Sequence, residues 1–289
     1  MSVGFDDSDG SRRALRWAAV EAARRGSRLA IVTAVRPLGT NETRWLAEAG
    51  LAPAQARRAA VAAAEKLLEE AKEHVRGDHP DLMVSGAVRV CDARELLLAE
   101  SSRSDLVVVG SRGHGPLRSI LLGSVGVALA RHSAGPVAVI HPRTEEVTPR
   151  VVVGVEATRE SSALVGFALA EASWRRLPLT VVSCRWAAEE DDHWIDWVAE
   201  DAEGLERVEA INRMLARARA DYPDVEVEVR HTRGRADQCL IDLARDVDLL
   251  VVGRRTSTIV DQLGLGSMTG VVVELARGNV LVVPTAPSA

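Results

Sequence analysis

Gly110, Gly113, Gly123 and Ser124 follow one another in the spacing Gly-x2-Gly-x9-Gly-Ser. Glycine lets a backbone come close to a ligand and adopt positive φ, because no Cβ intervenes. A helix beginning at Ser124 would point unpaired N–H groups and the positive end of its dipole at an anion. With the Ser124 hydroxyl and the charge of Arg112, the pattern suits a phosphate seat. Alone it decides little, since turn glycines without a ligand give such a pattern too. Two further features fall at strand ends: Asp6-Asp7-Ser8 after the first apolar run, and Thr33-Ala34-Val35 closing the second. In a parallel sheet, ligands bind beyond the carboxyl ends of the strands, where the strand order reverses. All three features would meet at that edge.

Other chemistries fit these residues less well. The P-loop spacing GxxxxGK[ST] is absent. A phospho-receiver pocket needs an Asp after the third strand and a Lys after the fifth, and Arg89-Val90-Cys91 and His141-Pro142 occupy those places. The SGGxDS loop of a nucleotide pyrophosphatase is not matched by Phe5-Asp6-Asp7-Ser8. His114 lies in the glycine loop with no carboxylate near it in sequence, which makes it a surface histidine rather than a general base. The remaining histidines lack metal spacing. No nucleophile, base and orienting group assemble, so the expectation is a binding protein and not a dedicated enzyme.

The elements that must position these residues occur twice. Residues 4–35 align without gaps on 154–185, matching Gly4 with Gly154, Ser11 with Ser161, Glu21 with Glu171 and Arg25 with Arg175. Residues 105–110 align on 248–253, and Leu122-Gly123-Ser124 falls on Leu265-Gly266-Ser267. A repeat of half the chain is a duplicated domain rather than a solenoid unit. Each half alternates strand and helix. Apolar Ala14, Leu15, Ala18, Ala19 and Ala22 mark one face of the first helix. Strands are expected at 29–35, 84–90, 106–110 and 137–141 in the first half. In the second they are expected at 151–155, 179–184, 225–231, 249–253 and 280–284. Helices are expected at 54–75, 93–101 and 124–131, and at 202–220, 236–246 and 267–277. Such alternation implies an α/β fold with a parallel sheet covered on both faces. The domains are placed at 1–142 and 150–289, joined by a polar connector with two prolines. The first half has only residues 1–5 before its polar turn, so either its first strand is frayed or the natural start lies upstream.

Composition narrows the function classes. The 289 residues are 47% hydrophobic and 27% charged with a formal net charge of −5, and the charges are interspersed. A nucleic-acid binder would show a basic face. No apolar run reaches the length of a membrane span, and the N-terminus lacks the basic start and apolar core of a secretory signal. Cys91, Cys184 and Cys239 form no CxxC or Cys/His metal pattern, which suits a reducing cytoplasm. The Ala-rich stripe from Ala59 to Ala64 reads as core packing. Trp45, Trp194 and Trp197, ahead of the second long helix in each half, read as lids or interface anchors.

Taken together, Gly110-x2-Gly113-x9-Gly123-Ser124, the start Val3-Gly4-Phe5-Asp6 with Ser8 and Ser11, and the closing His132-x3-Pro136-Val137 resemble the universal stress protein family. The resemblance covers nearly the whole chain, twice. It implies two tandem, doubly wound, five-stranded parallel-sheet domains of the adenine-nucleotide α-hydrolase-like type, related by a pseudo-two-fold. It also implies antiparallel pairing of the terminal strands 137–140 and 280–283. ATP is the implied ligand, with Mg²⁺ the usual companion of a triphosphate. By resemblance Asp6 holds the adenosine end, the Val35 backbone meets the adenine edge and Gly110 lies by the ribose. Gly113, Gly123 and Ser124 bind phosphate with Arg112 as a charge. A second hydroxyl common in the family is here Gly126.

The second half departs from the pattern. Glu156 replaces the Asp, and its extra methylene carries the carboxylate about 1.5 Å further. Gly253, Gly266 and Ser267 keep their places, but Thr256 stands at the second glycine and restricts φ. Thr269 supplies the hydroxyl the first half lacks, and Arg254-Arg255 add charge. The expectation is asymmetric occupancy, with the first site intact. The implied function is a cytoplasmic, ATP-binding stress-response regulator acting through conformation or association. Tandem chains would pair as a homodimer, with no nucleic-acid or membrane partner. The alternative is a nucleotide-independent interaction scaffold with degenerate sites.

Overall fold

A computed structural model describes residues 1–113, 122–143, 146–158, 160–185, 195–196, 201–255 and 268–285. The chain divides into two compact units, Met1–Gly135 and Pro136–Ala289.

The first unit begins with β1 (Ser2–Gly4) and α1 (Asp9–Arg24), followed by β2 (Leu29–Val35). Next come α2 (Thr40–Glu48), α3 (Pro53–Asp78), β3 (Val84–Val90), α4 (Ala93–Ser101), β4 (Val107–Gly110) and α5 (Ser124–His132). Its strand order is β3-β2-β1-β4, all parallel. The order reverses between β1 and β4, so the crevice of a doubly wound sheet opens at their carboxyl ends. Helix α1 starts where the Ser8 hydroxyl oxygen accepts the Ser11 N–H at 3.2 Å, an N-cap bond. The apolar face read from the sequence is the buried one, with Ala14, Leu15, Ala18, Ala19 and Ala22 in the core. Helix α3 buries Ala64, Leu68, Ala71 and Val75 at helical spacing and leaves most of its first turns exposed. The Ala59–Ala64 stripe therefore packs only at its end. Residues expected as core at its start face solvent.

The second unit contains β5 (Val137–Ile140), β6 (Thr148–Gly154), α6 (Glu160–Arg175), β7 (Leu179–Arg185) and β8 (Ile195–Asp196). It continues with α7 (Ala202–Ala218), β9 (Val227–Arg233), α8 (Ala236–Leu243), β10 (Val247–Arg255), α9 (Met268–Leu275) and β11 (Val280–Thr285). The order is β5-β11-β10-β6-β7-β9-β8. The five strands β11, β10, β6, β7 and β9 are parallel. Strand β5 pairs antiparallel with β11 through Val139↔Val280, Ala138↔Leu281 and Val137↔Val282, as the sequence implied. Strand β6 begins at Thr148, so the expected connector is shorter than 142–150. Pro149 is accommodated where the register with β10 shifts between Val247 and Leu249, a place where a missing N–H costs no ladder bond.

Each unit buries an ion pair at the same point of its first helix. Glu21 accepts from the Arg25 Nε at 2.6 Å, with both side chains largely withdrawn from solvent. Glu171 pairs with Arg175, both fully buried, and Arg175 also reaches Asp248 at 3.1 Å. Charges leave water only when paired in this way.

Candidate functional site

The first site is built where β1 and β4 end. Past Gly4 the Phe5 N–H donates to the Val32 carbonyl at 3.0 Å. The Thr33 hydroxyl donates to the Phe5 carbonyl at 2.9 Å, which ties the turn to β2. Asp7 takes the left-handed conformation, with φ +66, a region that Asp tolerates better than most residues. The turn aims Asp6 outward, and its carboxylate is shaped locally. Oδ1 accepts the Ser8 N–H at 3.1 Å and the Ser8 hydroxyl at 2.6 Å. The Asp6 N–H donates to the Ser11 Oγ at 3.3 Å.

The loop after β4 comes to meet it. A Cβ on Gly113 would stand 2.8 Å from Asp6 Oδ2, so the carboxylate lies directly over that glycine. The Gly123 N–H donates to the Ser111 carbonyl at 2.8 Å, which pins the two ends of the glycine loop together. Gly123 is the N-cap of α5, and Ser124 opens the helix exposed to solvent. Asp6, Gly110, Arg112, Gly113, Gly123 and Ser124 are thus gathered at one sheet edge. Val35 ends β2 half-buried, and its carbonyl accepts the Cys91 N–H at 3.1 Å. His114 lies outside the described residues.

Gly10 is the residue that sequence reasoning missed. Its Cβ would stand 1.9 Å from the Arg112 carbonyl oxygen, and a Cβ on Gly110 would stand 2.4 Å from the Gly10 carbonyl carbon. Backbone therefore packs on backbone between the start of α1 and the end of β4. The available signal was a glycine in the first turn of a helix, where alanine would be the better helix former. Ser111 was also passed over; its hydroxyl is buried and makes no hydrogen bond among the described residues. Gly126 has a packing reason, since a Cβ there would meet Leu122 Cδ1 at 2.6 Å. A serine or threonine would displace that leucine.

In the second half the same turn is kept and its contents differ. The Glu156 N–H donates to the Ser161 Oγ at 3.3 Å, as Asp6 does to Ser11. Gly253 meets side chains rather than backbone: its Cβ would stand 3.1 Å from Leu164 and 3.4 Å from Thr285. The Thr269 hydroxyl donates to the Gly253 carbonyl at 2.8 Å, so its proton is engaged there. The position of Val35 is taken by Arg185, whose carbonyl accepts the Gly234 N–H at 2.9 Å. The Arg185 guanidinium pairs with Asp201 at 2.6 Å and, with the Gly204 N–H, holds that carboxyl below its ordinary range. Thr256, Gly266, Ser267, Trp194 and Trp197 lie outside the described residues.

No group of histidine, cysteine and carboxylate side chains among the described residues could hold a metal ion. No helix among them is long and apolar enough to cross a membrane.

The site can be set beside known proteins. The model of the universal stress protein family matches residues 1–141 and again 148–284. A universal stress protein of Mycobacterium tuberculosis (strain ATCC 25618 / H37Rv) is 32% identical over 97% of this chain and 94% of its own. One of Mycolicibacterium smegmatis is 29% identical over 97% of this chain and 95% of its own. The crystal structure of a universal stress protein from Archaeoglobus fulgidus DSM 4304 superposes with a TM-score of 0.70 at 15% identity. It covers 98% of this chain and 97% of that one, which speaks for the fold.

Proposed function

The chain belongs to the universal stress protein family, with the family's domain present twice, and on that premise we propose that its first half binds an adenine nucleotide, ATP. The observation that supports this most directly is the Asp6 carboxylate lying over Gly113, with Gly123 tied to Ser111 beside it. A carboxylate suits the hydroxyls of a ribose. The unpaired amides at the start of α5, with Ser124 and Arg112, suit the phosphates at the other end. Mg²⁺ would travel with the triphosphate.

The output is a change of conformation or association in a cytoplasmic stress-response regulator, without dedicated chemistry. Tandem chains pair as homodimers in this reading. The second half favours the scaffold role. Arg185, at the position of Val35, pairs with Asp201, Thr269 is engaged by Gly253, and Glu160 stands where the first half has Gly10.

Calorimetric titration of ATP with Mg²⁺ into the nucleotide-free protein tests the proposal. A Cβ on Gly123 would find its nearest neighbour, the Ser111 carbonyl oxygen, at 3.6 Å, so Gly123→Ala leaves the empty fold intact. It should still weaken ATP by tenfold or more, about 1.4 kcal/mol, while Gly266→Ala changes nothing. At about 100 times the dissociation constant ATP should stabilise the wild type by about 2.7 kcal/mol. No heat and no stabilisation in the wild type would leave the scaffold reading in its place.

A further inference from the structure

Two thiols meet in the second half where the first half has none. Cys184 is the next-to-last residue of β7, and Cys239 lies in the first turn of α8. The aligned positions in the first half hold Ala34 and Leu96. Cys184 faces Thr232 across the β7–β9 ladder, and the Thr232 hydroxyl lies 3.7 Å from the Cys239 sulfur. Helix α8 thus sets Cys239 over the strand pair that carries Cys184. Thr232 lies between them, paired with Cys184 on the neighbouring strand and against the Cys239 sulfur.

Their environments are unequal. Cys184 is half-buried, with its sulfur 3.5 Å from the Gly234 carbonyl oxygen, whereas Cys239 is fully buried. The neighbouring Cys239, helped by Thr232 and the positive charge of Arg207, lowers the Cys184 thiol to about 7. The same contact and burial push the Cys239 thiol up. The thiolate is the form that attacks an oxidant, and reactive cysteines are the partly exposed ones with such partners. Cys184 is therefore the attacking sulfur, and Cys239 is placed to resolve the product.

We propose that Cys184 and Cys239 form a reversible disulfide on exposure to hydrogen peroxide, a modification site peculiar to the second half. The Cys184 thiolate attacks one peroxide oxygen and the O–O bond breaks. The departing oxygen leaves as water after protonation, and Cys184 becomes a sulfenic acid. Cys239 then gives up its proton and attacks the Cys184 sulfur, expelling the sulfenic hydroxyl as a second water. The two thiols lose two electrons and the peroxide gains them. A dithiol reductant reverses the change by thiol–disulfide exchange. The bond fastens α8 to the end of β7, the strand end that in the first half closes with Val35. It does not depend on nucleotide binding.

The test weighs the full chain after hydrogen peroxide treatment and alkylation under denaturing conditions. The expected mass loss is about 2 Da from the disulfide, with Cys91 the thiol that still takes up alkylating agent. Proteolysis without reduction should release one cross-linked peptide pair containing Cys184 and Cys239, absent after dithiol treatment. Cys91→Ser should keep the cross-link, Cys184→Ser should lose it, and Cys239→Ser should instead carry an added oxygen on Cys184. Three alkylated thiols after peroxide, or a cross-link through Cys91 or between chains, would overturn the proposal. The wild-type mass and peptide map decide it even if a variant fails to fold.

Discussion

Replacing Gly10 by alanine probes the closest backbone approach in the first site, and its outcome has a definite sign. Gly10 lies in the first turn of α1, where alanine would ordinarily stabilise a helix by up to about 1 kcal/mol. Here the new Cβ would stand 1.9 Å from the Arg112 carbonyl oxygen and 3.0 Å from its carbon, both backbone atoms that no rotamer can move. Restoring an ordinary contact of 3.4 Å requires the start of α1 and the loop after β4 to part by about 1.5 Å. Overpacking of this kind costs about 1–3 kcal/mol. Set against the full helix gain, Gly10→Ala should destabilise by up to about 2 kcal/mol, with the urea midpoint falling and the slope unchanged. Gly166→Ala in α6 is the control, because a Cβ there meets nothing within 4 Å. It should gain about 0.5–1 kcal/mol. If Gly10→Ala were as stable as wild type or more so, α1 would not lean on the Arg112 loop. The geometry that brings Asp6 over Gly113 would then lose its support.

Arg175→Met removes the guanidinium from a fully buried Glu171 and from Asp248. Leaving a buried carboxylate without it should cost about 3–5 kcal/mol in urea denaturation, and adding Glu171→Leu should recover part of that loss. His231 supplies a pH dependence. Burial, with the nearby Arg207, lowers its pKa below the ordinary 6.5, and its Nδ1 is buried without a hydrogen-bond partner among the described residues. Between the two pKa values the unfolded chain binds more protons, so stability rises with pH. The contribution is complete above about 6.5 and is lost as pH falls through the lowered folded value. In His231→Gln the acid side of the stability–pH curve should flatten, and an unchanged curve would contradict the assignment.

The α/β alternation was legible because the core elements carry strong patterns. Leu106 to Val109 is a continuous apolar run and proves fully buried, and the Ala face of α1 has helical spacing. Elements without a buried face left no such trace. Helix α2 buries no residue and is set by a local cap, in which the Gly39 N–H donates to the Glu42 carboxylate at 2.8 Å. Strand β8 has two exposed residues held against β9 at the sheet edge. The meeting of Asp6 with Gly113 followed from strand ends and loop spacing. Gly10 did not, because its partner is the Arg112 carbonyl far along the chain, and nothing in the local sequence names that atom.

The two halves show how one backbone plan can be kept while its edge changes chemistry. Glu171 and Arg175 repeat Glu21 and Arg25, and the turn bond from Glu156 to Ser161 repeats that from Asp6 to Ser11. The turn bonds tie each first strand to the helix that follows it, and the ion pairs keep buried charge compensated within that helix. Losing either would cost stability. The residues that differ lie at or just beyond the carboxyl ends of the strands. Gly10 gives way to Glu160, Val35 to Arg185, Ala34 to Cys184 and Leu96 to Cys239. The first two changes end the close backbone approach and put an ion pair on the strand edge. The other two bring a pair of thiols to the same strand end. A duplicated domain has this freedom because, under the function proposed above, one copy can keep the anion seat while the other is released from it. If the second site were a nucleotide site in decline, its changes should be scattered losses. Cys184 and Cys239 instead gather around Thr232 at one strand end, and this is why the redox test belongs on the second half.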